Sequence, residues 1–280
     1  MDQKTVLVTG ASKGIGRAIV SLLAEQGQSV FATARKAEDL DSLAKLDNVI
    51  PIKLDVTKPE EIRAAVTTVE RRGKGLYGLV NNAGVGTVGP LADTPIKEYD
   101  LVMDVNAGGP VRMIQAFLPM LKASRGRIVN IGSLSGTIAW EILCAYAMSK
   151  HAIEALTDSL AEQLAPDGVD VSVIVPGNYN SDIVRSAFDR MGIGSDGEEP
   201  PGADRSEFPE PDDVAEAVSR ALFDPEPRRR YTVVDVESDA ELLVRAQLQK
   251  LADINGAHRF SFSRDRLVEI LDETYAKDAG

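Results

Sequence analysis

Apolar and β-branched residues gather in short runs at 5–8, 29–33, 49–54, 79–81, 127–131 and 169–175. Most of these runs show little alternation of polar and apolar positions, as expected of strands covered on both faces. Between them the apolar positions take helical spacing, over 14–26, 59–71, 145–164 and a long stretch, 96–124, interrupted near Gly108 and Gly109. Strand and helix in turn predict βαβ units. The expected fold class is α/β, a doubly wound parallel sheet with helices on both faces.

The pattern changes after Val175. Residues 178–211 combine several Gly and Pro with many acids and scattered apolar positions such as Ile183, Phe188 and Met191. A segment of this length without periodicity in a compact domain reads as a lid. Helical spacing returns at 212–222, with Val214, Ala217, Val218 and Ala221 on one side, and 231–236 reads as a last strand. Two amphipathic helices, 240–254 and 264–275, then form a C-terminal helical extension over about 239–280, whose expected role is packing. No internal repeat is present, and the expectation is one domain over 1–280.

Composition narrows the function classes. The 280 residues are 44% hydrophobic, enough for a sizeable core. A net charge of -12 argues against nucleic acid and anionic membrane surfaces as partners, and Arg228–Arg230 is too short a basic run to reverse this. No uninterrupted apolar run reaches about 18 residues, so no membrane span is expected. The start of the chain enters a strand with no basic segment before it, which gives no sign of export. The one cysteine, Cys144, suits a reducing compartment, with the cytoplasm as the expected address, and two histidines, His151 and His258, leave little material for a metal site. No metal is expected.

The first candidate chemistry lies directly after the first strand, where Thr9-Gly10-Ala11-Ser12-Lys13-Gly14-Ile15-Gly16 opens the first helix. Gly10 permits a tight turn, Gly14 lets backbone approach a pyrophosphate, and Gly16 allows close packing; the helix N-terminus supplies N–H donors to the anion. About 20 residues later, where a carboxylate would hold a ribose 2′-hydroxyl, the second strand ends Thr33-Ala34-Arg35-Lys36. Arg35 there offers two parallel bonds to a 2′-phosphate, aided by Lys13, so NADP(H) is expected over NAD.

Tyr146 and Lys150 stand four residues apart in a helical stretch and so share a face. A phenol is a poor acid or base at neutral pH, but a nearby ammonium favours the phenolate. With the glycine loop, Asp55 after the third strand, Asn81-Asn82-Ala83-Gly84 after the fourth, Asn106, Ser133 after the fifth, Tyr146-Ala147-Met148-Ser149-Lys150, and Pro176-Gly177 after the sixth, an ordered set of motifs is complete. Across nearly all of residues 4–180 the chain resembles the short-chain dehydrogenase/reductase family in its single-domain, Rossmann-fold form.

The resemblance implies an oxidoreductase that moves a hydride between nicotinamide and a carbonyl or secondary alcohol. Tyr146 would be the general acid or base, Ser133 a second donor to the substrate oxygen, and Lys150 both the activator of Tyr146 and a holder of the nicotinamide ribose. Asn106 would support a water chain leading from Lys150. Asp55, with its neighbour Val56, would hold the adenine, Asn82 and Ala83 the adenosine end, and Gly84 would allow close backbone approach. Pro176, Gly177 and Ser181 would flank the nicotinamide. Ser181 stands where relatives usually carry Thr, and the run from Asn178 to Ser181 is more polar than usual, which bears on the lid.

Trp140, Ile142, Leu143 and Cys144, with Ile183, Phe188 and Met191 from the lid, predict an apolar pocket for a bulky ketone or alcohol, aromatic or steroid-like. Small residues on the 145–164 helix, Ala147, Ala152, Ala155, Ser159 and Ala161, predict a homodimer or homotetramer, since relatives pack this helix against a second subunit. An alternative is a non-catalytic NADP-sensing regulator on the same fold. A sugar-nucleotide epimerase or dehydratase would need a larger C-terminal substrate domain than the chain beyond Ser181 supplies.

Overall fold

The computed structural model describes residues 3–194, 200, 202–256 and 259–278. His258 and the lid positions 195–199 and 201 lie outside the described residues. The chain divides into two compact units, 1–237 and 238–280.

The first unit is built on a parallel sheet. Its central strands are β1 (Thr5–Val8) and β4 (Gly78–Asn81); β2 (Ser29–Ala34) and β3 (Val49–Lys53) extend one side, and β5 (Arg127–Ile131), β6 (Asp170–Pro176) and β7 (Arg230–Val233) the other. The order is β3-β2-β1-β4-β5-β6-β7, every pair parallel. The chain therefore reverses its direction of winding at β1 and β4, and ligand crevices in such sheets open at that switch point, beyond the carboxyl ends of the strands.

Alternation along β1 divides the core. Val6 and Val8 face one cluster, with α1 (Gly14–Glu25), α2 (Ala37–Leu43) and α8 (Asp212–Phe223) supplying Ile19, Leu23, Leu43, Val214 and Val218. Leu7 faces the other, filled by Ile62 and Val69 of α3 (Pro59–Arg71) and by Met113 and Phe117 of α5 (Gly109–Ser124). Helices on both faces explain the continuous apolar strand runs. In α3, Pro59 opens the helix, Glu60 and Glu61 occupy its first turn and Arg71 its last, each placed to suit the helix dipole.

The structure refines three readings. The run after Lys36, to which no element was assigned, forms α2. The interruption near Gly108 is a π-helical turn, Asp104–Gly108, joining α4 (Ile96–Met103) to α5. Inside the lid lies a regular helix, α7 (Ile183–Met191). The remaining helix of this unit, α6 (Cys144–Leu164), carries the Tyr146–Lys150 motif.

The second unit consists of α9 (Glu237–Gly256) and α10 (Arg264–Asp278), the C-terminal helical extension. Asn255 shapes the turn between them, its amide donating to the Phe262 carbonyl and its side-chain oxygen accepting from the Phe262 N–H. No helix among the described residues is long and apolar enough to cross a membrane.

Candidate active site

A cavity of about 880 Å³ opens at the switch point, lined from the β1–α1 loop across the ends of β4 and β5 to α6 and the lid. Its first wall is the glycine loop. Gly10 has φ +64° and Gly14 φ +49°, a backbone region costly for residues with a Cβ. Gly16 is fixed by contact, since a Cβ there would lie 2.3 Å from the Gly10 carbonyl and 2.5 Å from the Asn82 amide. That amide donates to the Thr9 and Gly10 carbonyls, both at 2.9 Å, while Thr9 Oγ1 accepts the N–H groups of Asn82 and Ala83. Asn82 therefore holds the loop in shape from behind. Gly84 differs: it lines the cavity, and a Cβ there would come no closer than 3.4 Å to anything, the nearest atom being the Asn106 side-chain oxygen.

Lys13, at the N-cap of α1, makes no side-chain capping bond. The N–H donors of the first turn stand beside Ser12, Gly14 and Ile15 on the cavity wall, a chemistry suited to a pyrophosphate. Lys13 also lines this wall. Its ammonium pairs with Asp182 at the edge of the lid, 3.1 Å away, and the hydrogen bond and charge of Asp182 raise its pKa.

Arg35 remains exposed on the lining and forms no ion pair among the described residues. Folding of α2 returns an acid, Asp39, to the same end of the cavity, which reading the strand end alone had missed. Asp55 also lines this end. Burial pushes its carboxyl upward, but the bonds from the Thr57 N–H and hydroxyl and the charges of Arg35 and Lys58 outweigh that and hold it below its ordinary value. Val56 closes the corner against Gly109.

At the opposite end α6 presents Tyr146 and Lys150 together, with Ser133 facing them from the loop after β5. Lys150 is 5% exposed; burial lowers its pKa to about 8, and its ammonium donates to the Ile131 carbonyl at 2.8 Å. The phenol does not behave as the four-residue spacing suggested. Desolvation raises the pKa of Tyr146 above its ordinary value, opposed by the Ser133 hydroxyl and by the charge of Arg205, a lid residue that sequence reasoning passed over. The Lys150 ammonium sits 5.6 Å from the ring centre.

Asn106 lies in the π-helical turn and is 2% exposed. Its side chain does not line the cavity. Its oxygen accepts from the Val85 N–H at 2.8 Å, and its amide donates to the Val85 carbonyl and to Ser149. It thus ties the β4 loop to α6 directly behind Lys150. A second buried chain, Asn81 to Asn130 to Thr157, fixes α6 against the sheet. Asn81 and Asn106 already stood among the sequence motifs, whereas Asn130 and Thr157 carried no signal of their own.

Pro176, Gly177 and Ser181 line the third wall, with Trp140, Ile142, Leu143 and Ile183 beside them. The lid is more polar towards the cavity than expected. Because α7 is a true helix, Ile183, Ser186 and Arg190 share the lining face, while Phe188 and Met191 are not part of it. Phe188 is buried, and Met191 meets the Thr87 hydroxyl. Cys144 opens α6 outside the lining. Of the small residues on α6, Ala147 is buried within the chain, whereas Ala155 and Ser159 are exposed.

A family model described as short chain dehydrogenase matches residues 4–192. The chain is 40% identical over 190 residues to "Short-chain dehydrogenase PC-15" of Penicillium crustosum, covering 67% of this chain and 70% of that protein. It is 40% identical over 188 residues to the mitochondrial D-beta-hydroxybutyrate dehydrogenase of Rattus norvegicus, covering 63% of this chain and only 54% of that longer protein. The crystal structure of a metagenomic short-chain oxidoreductase in complex with NADP superimposes with a TM-score of 0.67 at 30% identity, covering 83% of this chain and 97% of that one.

Proposed function

Since this chain belongs to the short-chain dehydrogenase family, we propose that it is an NADP(H)-dependent oxidoreductase that interconverts a ketone and a secondary alcohol. The observation that carries this reading is the convergence of Ser133, Tyr146 and Lys150 at one end of the cavity that has the glycine loop and Arg35 at its other end.

The start of α1, the place of Gly84 on the lining and the exposed Arg35 suit the pyrophosphate, the backbone approach and the 2′-phosphate of NADP(H). Asp55, Val56, Asn82 and Ala83 would border its adenosine half, and Pro176, Gly177 and Ser181 its nicotinamide half. When bound, the dinucleotide supplies or accepts the hydride. In reduction, Tyr146 gives its proton to the substrate oxygen, and in oxidation it takes one back. Ser133 donates to the same oxygen as negative charge grows on it. With the dinucleotide bound, Lys150 would hold the nicotinamide ribose and shift Tyr146 towards the phenolate, against the burial that raises its pKa, while Asn106 holds the π-helical turn against α6. Trp140, Ile142, Leu143 and Ile183 suit a bulky substrate with an apolar or aromatic body, steroid-like in size. The exposed Ala155 and Ser159 on α6 support a homodimer or homotetramer packed through that helix, and a single thiol fits the cytoplasm.

The test is NADPH consumption measured by absorbance over a panel of steroid, aryl and short aliphatic ketones, repeated with NADH. Tyr146→Phe should lower kcat at least a thousandfold with NADPH affinity intact. An NADH preference of tenfold or more, about 1.4 kcal/mol, would overturn the role given to Arg35. A Tyr146→Phe protein that bound NADPH and kept its biological effect would favour a sensor.

A further inference from the structure

Arg205 sits in the lid beyond α7 and reaches the catalytic end of the cavity. Its Nε donates to the Tyr179 carbonyl at 3.0 Å and its Nη2 to the Asn178 side-chain oxygen at 2.9 Å. Phe208 lies 4.3 Å from the guanidinium carbon and supports its face. Two bonds and one aromatic face fix this cation in place, although every one of these partners is neutral.

No acid answers it. Among the described residues Arg205 forms no ion pair, and the adjacent Asp204 accepts the Ser206 N–H instead. The other lid cation on the lining, Arg190, is neutralised by Glu98 at 2.7 Å. The acids on the lining are Asp182, paired with Lys13, and Asp39 and Asp55, grouped with Arg35 and Leu54 away from Ser133. The catalytic end therefore holds a half-buried, oriented cation beside Tyr146 with no negative partner among the described residues. Burial penalises such a charge unless a counter-charge completes it, and Arg205 is indeed drawn below its ordinary pKa by desolvation.

We propose that Arg205 binds a carboxylate of the substrate, so that the preferred substrates are keto acids, or the matching hydroxy acids, with an apolar or aromatic body. This rests on the hydride-transfer reading above and adds one charge to the substrate that the apolar lining alone would not call for. The apolar walls take the body, Tyr146 and Ser133 the reacting oxygen, and the guanidinium fork the acid group, with geometry that a carboxylate matches in two parallel bonds.

The experiment compares benzoylformate, 3-benzoylpropionate and 4-benzoylbutyrate with their methyl esters, using NADPH and the full-length protein. The wild type should favour at least one acid over its ester by tenfold or more in kcat/KM. In Arg205→Gln that ratio should fall to within twofold of unity, chiefly through KM for the acid, and Arg205→Lys should restore part of it. The dissociation constant for NADPH, read from its fluorescence, should change less than twofold.

Equal rates on acids and esters in the wild type would overturn the proposal. So would an equal loss on both in Arg205→Gln, which would mean that Arg205 acts only through Tyr146, or a marked loss of NADPH affinity, which would make it a cofactor residue. Turnover of none of the ketones would instead sink hydride transfer; quenching of bound NADPH fluorescence by the acids, absent in Arg205→Gln, would then still support the carboxylate site, and no such quenching would end both.

Discussion

Tyr146 and Lys150 leave the same side of α6, yet the Lys150 ammonium gives its hydrogen bond to the Ile131 carbonyl and stands 5.6 Å from the centre of the Tyr146 ring. Burial draws Lys150 from an ordinary 10.5 down to about 8. Below about pH 8 the folded protein bears the full cost of a buried ammonium. From pH 8 to 10.5 the unfolded chain binds the extra proton, so stability rises with pH through this window. Lys150→Met removes the dependence. The wild type should gain about 3 kcal/mol on the variant between pH 8 and 10.5, read from urea unfolding of the pair at each pH. Parallel curves would show that the ammonium is solvated.

The phenol should be held in its neutral form in the protein without dinucleotide. Its surroundings raise its pKa, and the two groups that oppose this are Ser133 and Arg205 rather than Lys150. Ultraviolet difference titration of the wild type against Tyr146→Phe should show this tyrosine ionising above pH 10. A phenolate present at pH 8 would mean that Lys150 activates it before any cofactor binds.

Much of this was written in local pattern. Strand runs and helical spacing marked all seven strands and most of the helices covering them, because burial on both faces leaves a strong apolar signature. The glycine loop, Ser133, Tyr146 and Lys150 were legible because each sits at a fixed offset from a strand or helix end. What escaped was set by tertiary contact. Asn82 works through its amide on a loop 72 residues away, and Arg205 meets Tyr146 only because the lid folds over the cavity. The lid helix α7 was hidden by its length, nine residues flanked by Gly and polar positions. The pairing of Lys13 with Asp182 left no local trace because the two are 169 residues apart in sequence.

Two glycines at the cofactor wall should fail in different ways. A methyl group at Gly16 collides with the Gly10 carbonyl and the Asn82 amide, both rigid parts of the loop. Gly16→Ala should therefore unfold at lower urea and lose NADPH binding together. At Gly84 the same methyl group meets nothing closer than 3.4 Å. Gly84→Ala should retain wild-type unfolding while its NADPH affinity falls about tenfold, about 1.4 kcal/mol, because Gly84 lines the cavity and the added carbon narrows the cofactor wall. Fluorescence titration with NADPH beside urea melts separates the two outcomes. Unchanged affinity in Gly84→Ala would remove this glycine from the cofactor wall.

The last prediction concerns what holds the lid. Glu98 on α4 has a side chain only 6% exposed and accepts from Arg190 of α7 at 2.7 Å, while Arg190 also donates to the Gly86 carbonyl. Removing one partner of a buried pair strands the other charge, at a typical cost of about 3 kcal/mol, whereas replacing both with apolar groups of similar size is often close to neutral. Glu98→Ala should thus lower unfolding stability by about that amount and raise KM, since Arg190 stands on the cavity lining. Glu98→Leu combined with Arg190→Met should recover most of the stability. If the double variant is as unstable as Glu98→Ala, the pair contributes more than mutual neutralisation, and the Gly86 carbonyl left without its guanidinium donor becomes the group whose loss dominates.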